Sequence, residues 1–391
     1  MEKTWRWFGK NDPITLSDLR QINVEGIVTA LHDIPTGEVW SLEEILDLKK
    51  HIEDAGLHWS VVESLLVPES IKYGGPDRDQ LIENYKISLT NLGKAGIKTV
   101  CYNFMPIVDW IRTDLRYKLA DGTYTLYFSR VRFAYFDIYI LKRENAEADY
   151  PPEVLEAVHE LDKTITEAEK AELIENIIIK TQGFVNDIFK EGEQDPVAHF
   201  NRLMAKYKGI DKQQMRENFK YFLQHIIPVV NEYDMHLCIH PDDPPFPVLG
   251  LPRIVTDEED IEWILTVVDN PRNGLTFCGG SLGSCAHNDV MNLARRFSCR
   301  THFIHLRDTH VLPNGDFVEA SNLGINGNLL ELFRLFKTSP LVPMRIDHAP
   351  LILTDVDAQD YNPGYSFLGR MKAFCEMSGM MTATLFSDDA G

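Results

Sequence analysis

Positive charge is scarce in this 391-residue chain: Lys and Arg number 39 against 59 Asp and Glu, a formal net charge of −20. A chain of that sign repels phosphate, and its basic residues are scattered among acids, so nucleic acid is excluded as the main partner. Long apolar runs are missing too. No stretch approaches the ~20 residues needed to span a bilayer, and the opening Met1-Glu-Lys-Thr-Trp-Arg-Trp-Phe-Gly9 lacks the basic-then-apolar layout of a signal peptide. Cysteine is sparse: Cys101, Cys238, Cys278, Cys285, Cys299 and Cys375 form no Cys-x-x-Cys pair and no disulfide framework. A cytoplasmic protein with reduced thiols and no membrane partner is therefore expected. Internal repeats and low-complexity segments are absent, and no Gly-x-Gly-x-x-Gly follows the first strand.

What is present is an ordinary globular composition, with 44% hydrophobic and 25% charged residues. Short β-rich runs alternate with longer helical ones. Strands are read at residues 26–31, 58–64, 99–104, 235–240, 274–278, 301–305, 343–347 and 380–386. Helices are read from Ser41, where Glu44 completes a capping box, and over 79–95, 215–233, 257–268, 288–297, 328–337 and 365–378. Near-continuous apolar strands between helices indicate a parallel sheet covered on both faces. About eight such units predict an α/β fold, a (β/α)8 TIM barrel, which typically takes about 250 residues. The surplus is assigned to a long insertion after the third strand, roughly residues 105–213, within a single domain spanning 1–391. It holds an aromatic stretch at 124–136 and charged helices such as 167–190. A doubly wound open sheet is the alternative, weakened by the missing glycine motif.

Polar residues stand at the C-terminal ends of four successive strands: His240, Cys278, His305 and Asp347. Barrel active sites are built at that end from several strands. Imidazole, thiolate and carboxylate are all ligands of divalent metals. A lone strand Cys is more often core, and a lone strand-end His more often a hydrogen-bonded structural residue. Four such groups at equivalent positions point instead to one metal site. Arg307, Asp308, His310, Arg345 and His348 fall near it, whereas strand alternation places His236 and His302 away from it. An arginine there clamps a substrate carboxylate or pairs with a neighbouring Asp. The proline-rich loop 241–247 stiffens the mouth, and the glycine run 278–284 brings backbone close to a neighbour, substrate oxygens among the candidates.

Several longer motifs then carry a family resemblance. They include Thr4-Trp-Arg-Trp-Phe-Gly9, Val28-Thr-Ala-Leu-His32, Cys101-Tyr-Asn-Phe-Met-Pro106, Arg112-Thr-Asp-Leu115, Ile239-His-Pro-Asp-Asp-Pro-Pro245, Met344-Arg-Ile-Asp-His348 and Asn362-Pro-Gly-Tyr365. In these, almost end to end, the chain resembles the mannonate dehydratases with a xylose-isomerase-like barrel. The resemblance implies dehydration of D-mannonate to 2-keto-3-deoxy-D-gluconate in hexuronate catabolism, with Mn2+ or Fe2+ as cofactor. It implies His240, Cys278, His305 and Asp347 as metal ligands and His348 and Tyr365 as the acid–base pair, and Arg307 is expected beside them as a catalytic residue that anchors the substrate. Asn103, Trp110 and Asn322 are expected to bind substrate, and the resemblance implies a homo-oligomer, a dimer. The segment 319–328 and the pair Ala349-Pro350 depart from the family pattern. A dehydratase of another hexonate and a non-catalytic sugar-acid-binding relative are the alternatives. The order of acid and base between His348 and Tyr365 stays open here.

Overall fold

The structure is a computed structural model, and it describes residues 1–185, 188–189, 192–320, 328–336 and 342–387. Its frame is built from β1 (Glu2–Arg6), β2 (Gly26–Thr29), β3 (His58–Glu63) and β4 (Thr99–Tyr102). Two strands of a second sheet follow, β5 (Asp114–Lys118) and β6 (Tyr124–Phe128). Then come β7 (His236–Ile239), β8 (Asn273–Cys278) and β9 (Thr301–Leu306), the short pair β10 (Thr309–Val311) and β11 (Phe317–Glu319), and finally β12 (Pro343–Ile346). Eight of them close into a barrel in the order β1-β12-β9-β8-β7-β4-β3-β2, every neighbour parallel.

The expected (β/α)8 barrel is thus present, with one exchange of strands. Residues 380–386, read as the eighth strand, belong to the helix Phe367–Ser387. The closing strand is instead β1, which pairs with β12 on one side and β2 on the other. An apolar run of seven residues does not distinguish strand from buried helix by period alone, and this one continues a helix begun at Phe367. Elsewhere the local chemistry acts as expected. Ser41 accepts from Glu44 N and Glu44 reaches back to the cap, which starts the helix Leu42–Asp54.

The strands are buried on both faces, as the alternation with helices requires. Outside the barrel wall, side chains such as Ile27, Val62, Val100 and Leu237 join the main core beneath the helices. Inside it, Val28, Val61, Cys101, Cys238 and Phe303 form a separate plug. This filling leaves the C-terminal mouth as the place for polar groups. Between β4 and β7 the chain leaves the barrel. β5 and β6 join β10 and β11 in a four-stranded antiparallel sheet of order β10-β11-β6-β5. That sheet is tied to the loop after β12 through the bridge Tyr124↔Leu351. Among the described residues no helix is long and apolar enough to cross a membrane.

Candidate active site and metal centre

Strand register sets the first layer of the site. His305 on β9 is the Cα partner of both Cys278 on β8 and Arg345 on β12. Asp347 follows Arg345 by two and so faces the same way, while His240 immediately follows β7. The donor atoms of His240, Cys278, His305 and Asp347 all lie within 4.8 Å of one another. His240 Nε2 stands 3.1 Å from His305 Nδ1. Asp347 Oδ2 stands 3.7 Å from Cys278 Sγ and 3.8 Å from His305 Nδ1. Four donors sharing one ion at bond lengths of about 2.0–2.3 Å would be roughly 3.3–3.6 Å apart. The cluster brackets that spacing, so the residues fit a divalent ion.

Second neighbours aim these donors inward. His240 Nδ1 donates to Pro241 O at 2.7 Å, which turns Nε2 toward the cluster. The His305 ring rests edge-on over Phe303, centroids 4.7 Å apart, and its Nε2 is 3.5 Å from Glu63 Oε1. The Cys278 sulfur accepts from Ser281 Oγ at 3.2 Å and Ser281 N at 3.5 Å. The glycine run forms the turn that brings Ser281 to the sulfur. A Cβ on Gly280 would overlap the side chain of Arg307, so glycine makes room for that arginine.

Around the cluster runs a buried chain of alternating charges that strand-end reading did not find. Arg6 pairs with Glu63 at 3.2 Å, and Glu63 with Arg345 at 2.7 Å. Arg345 pairs with Asp347 at 2.7 Å, and Asp347 with Arg307 at 3.0 Å. Arg307 binds Asp243 and approaches Glu319 at 3.4 Å, and both acids bind Arg112, at 2.8 and 2.5 Å. Burial disfavours ionised carboxylates, but here the guanidiniums outweigh it. Glu63 and Asp347 are held well below the usual carboxylate range, Asp243 is lowered as well, and Glu319 is lowered to about 2. Arg307 is thus engaged as the ion pair anticipated for such an arginine, its donors directed to Asp243, Ser281 and Asp347.

His348 and Tyr365 complete the mouth. Tyr365 donates to Asp347 Oδ1 at 3.2 Å and accepts from Arg6 Nη1 at 3.1 Å. Burial, reinforced by the Asp347 charge, pushes its hydroxyl above the usual tyrosine range. His348 Nε2 lies 3.9 Å from the same Asp347 Oδ1. Its Nδ1 is 3.2 Å from both Glu319 Oε1 and Arg307 Nη1. Trp110 packs on the His348 ring with centroids 4.9 Å apart, and its indole N–H has no acceptor among the described residues. Asn103 lines the same chamber and donates to Asp109 Oδ2 at 2.5 Å. Asn322 lies outside the described residues. His310 is exposed on β10, and His236 and His302, whose rings meet at a tilt, sit at the opposite strand ends, apart from the chamber.

This arrangement matches known proteins along its whole length. The family described as D-mannonate dehydratase (UxuA) matches residues 1–387. A mannonate dehydratase from Marinomonas sp. (strain MWYL1) is 44% identical, over 97% of this chain and 98% of its own. One from Saccharophagus degradans is 41% identical, over 98% of each. The solved mannonate dehydratase of Streptococcus suis serotype2 superposes with a TM-score of 0.76 at 33% identity, over 99% of this chain and 96% of that one.

Proposed function

The chain belongs to the D-mannonate dehydratase family, and from that premise we propose how its own residues carry the reaction. The activity is that of a hydro-lyase: D-mannonate loses water to give 2-keto-3-deoxy-D-gluconate, a step of hexuronate breakdown. We assign the ion as Mn2+ or Fe2+, held by His240, Cys278, His305 and Asp347; the sulfur donor favours a softer ion over Mg2+ or Ca2+. When bound, the ion supplies Lewis acidity toward the substrate carboxylate and C2 hydroxyl and offsets charge developing at C2.

The observation that carries the reading is the pair of proton-handling groups on one carboxylate oxygen. Tyr365 and His348 both face Asp347 Oδ1. His348 Nδ1–H donates to Glu319, and Nε2 takes the proton from C2. Tyr365, protonated by virtue of its burial, donates to the departing C3 oxygen. Arg6 then steadies the phenolate through the hydrogen bond it already makes. The C2–H and C3–O bonds break, water leaves, and the resulting enol gains a proton at C3 as it loses one from O2. Arg307 holds Asp347 and, through its ion pair with Glu319, the acceptor that orients His348, and Trp110 and Asn103 present donors to the hydroxyls. Asn322 is retained as a substrate contact. The enzyme works, on this reading, as a cytoplasmic homodimer.

The test is turnover of D-mannonate by chelator-stripped protein with and without Mn2+, following 2-keto-3-deoxy acid. Activity should vanish on stripping and return with Mn2+. His348→Ala should lose about 10²–10⁴-fold in kcat while still binding metal stoichiometrically. Wild-type turnover in that variant would defeat the assignment, and turnover of a different hexonate alone would move the substrate.

A further inference from the structure

Two cavities share the barrel mouth, and they divide the ring of strands between them. The metal donors come from β7, β8, β9 and β12, and the chamber they face is small, about 30 Å³. The loops following β1, β2 and β3 enclose a cleft of about 350 Å³. That volume falls within the range of small-molecule sites, roughly 300–1,000 Å³. Arg6, Ser64, Val185 and Tyr365 line both cavities, so the proposed acid stands at the passage from one to the other. A hexonate whose carboxylate and C2 oxygen sit at the ion has C4, C5 and C6 beyond Tyr365. The chamber has no room for them, and the cleft is where they emerge.

The wall of the cleft suits a chain of hydroxylated carbons. Phe8 packs edge-on against Tyr365, centroids 5.0 Å apart, and on its other side meets His32 at 5.8 Å. Such rings offer apolar faces to C–H groups. His32, in the loop after β2, lines the cleft and exposes its ring there. Desolvation by the protein around the ring, with the Arg6 charge nearby, lowers its pKa to about 4, so the imidazole is neutral near pH 7. A neutral imidazole carries one N–H and one bare ring nitrogen, and the bare nitrogen can accept from a hydroxyl.

We propose that the cleft over β1, β2 and β3 is the subsite for the polyol tail of the sugar acid, and that His32 is the specificity-determining residue within it. The inference rests on the family reading of the reacting end. It is tested by comparing D-mannonate with L-erythronate, a four-carbon acid that keeps the C2 and C3 configuration of the reacting end and lacks C5 and C6. In the Mn2+ enzyme, His32→Phe should raise KM for D-mannonate about tenfold or more, the worth of a lost hydrogen bond plus the pocket's mismatch. Its kcat and the inhibition constant of L-erythronate should stay within about twofold of wild type, and His32→Asn should recover much of the KM. An unchanged KM in His32→Phe overturns the subsite, and so does an equal weakening of both acids. Wild-type turnover in the same assay checks the family reading separately: its absence overturns that reading, whereas normal wild-type turnover beside an indifferent His32→Phe overturns the subsite alone.

Discussion

At Asp347 the two carboxylate oxygens serve different neighbours. Oδ2 faces Cys278 and His305, while Oδ1 faces Tyr365 and His348. Arg345 and Arg307 pin one oxygen each, so the group has little freedom to turn. Arg307 in turn depends on the absence of a side chain at Gly280. Gly280→Ala should displace the guanidinium, destabilise the fold by about 1–3 kcal/mol in urea unfolding, and lower kcat well beyond any change in KM. The convergence of His240, Cys278, His305 and Asp347 was legible in the sequence because each stands at or just past the C-terminal end of a strand, and strand ends in a barrel converge. Glu63, Asp243, Glu319 and Arg112 were not legible. Their partners are remote in the chain: Arg345 reaches Glu63 across 282 residues and Arg112 reaches Glu319 across 207. Glu63 also ends a strand, and an acid at that position was the available signal.

Among the elements, the four-stranded sheet beside the mouth has a positioning task. β11 ends in Glu319, the partner of His348, and β11 is held against β6. Asp316, just before β11, fastens this junction by accepting from Arg130 N at 2.8 Å, Asn314 Nδ2 at 2.9 Å and the Tyr127 hydroxyl. Asp316→Ala would leave a backbone N–H without its acceptor, a loss of about 1–3 kcal/mol. Stability by urea unfolding should fall by that amount, and kcat should fall with metal affinity unchanged. Pairings of this kind join strands from separate parts of the chain, so periodicity announces neither the sheet nor its role. The barrel strands were easier, since seven are apolar runs between helices. β1 escaped notice because it is five residues long and mixes Glu2, Lys3 and Arg6 with its apolar positions.

For the whole molecule, the buried charge chain sets the acid limit of stability. Glu319 falls from an ordinary value near 4.5 to about 2 in the folded protein. A carboxyl with a depressed folded pKa contributes stability that is fully present above its unfolded pKa and is lost as pH falls through the folded one. The melting temperature should therefore hold above about pH 5 and decline as pH drops toward 2. Glu319→Gln should lower the plateau and flatten its share of that decline; a parallel curve would show that Glu319 does not contribute to it. The same chain of charges starts on the first strand of the barrel, and that strand meets residues from the far end of the sequence. Glu2 pairs with Pro343, and Arg6 touches Tyr365. During synthesis at about 5–20 residues per second, β1 leaves the ribosome on the order of tens of seconds before the strand that closes the ring. A nascent chain therefore carries an unpartnered barrel edge and an unfinished catalytic centre for most of its making, and a ribosome that stalls before β12 releases nothing that can act on a sugar acid.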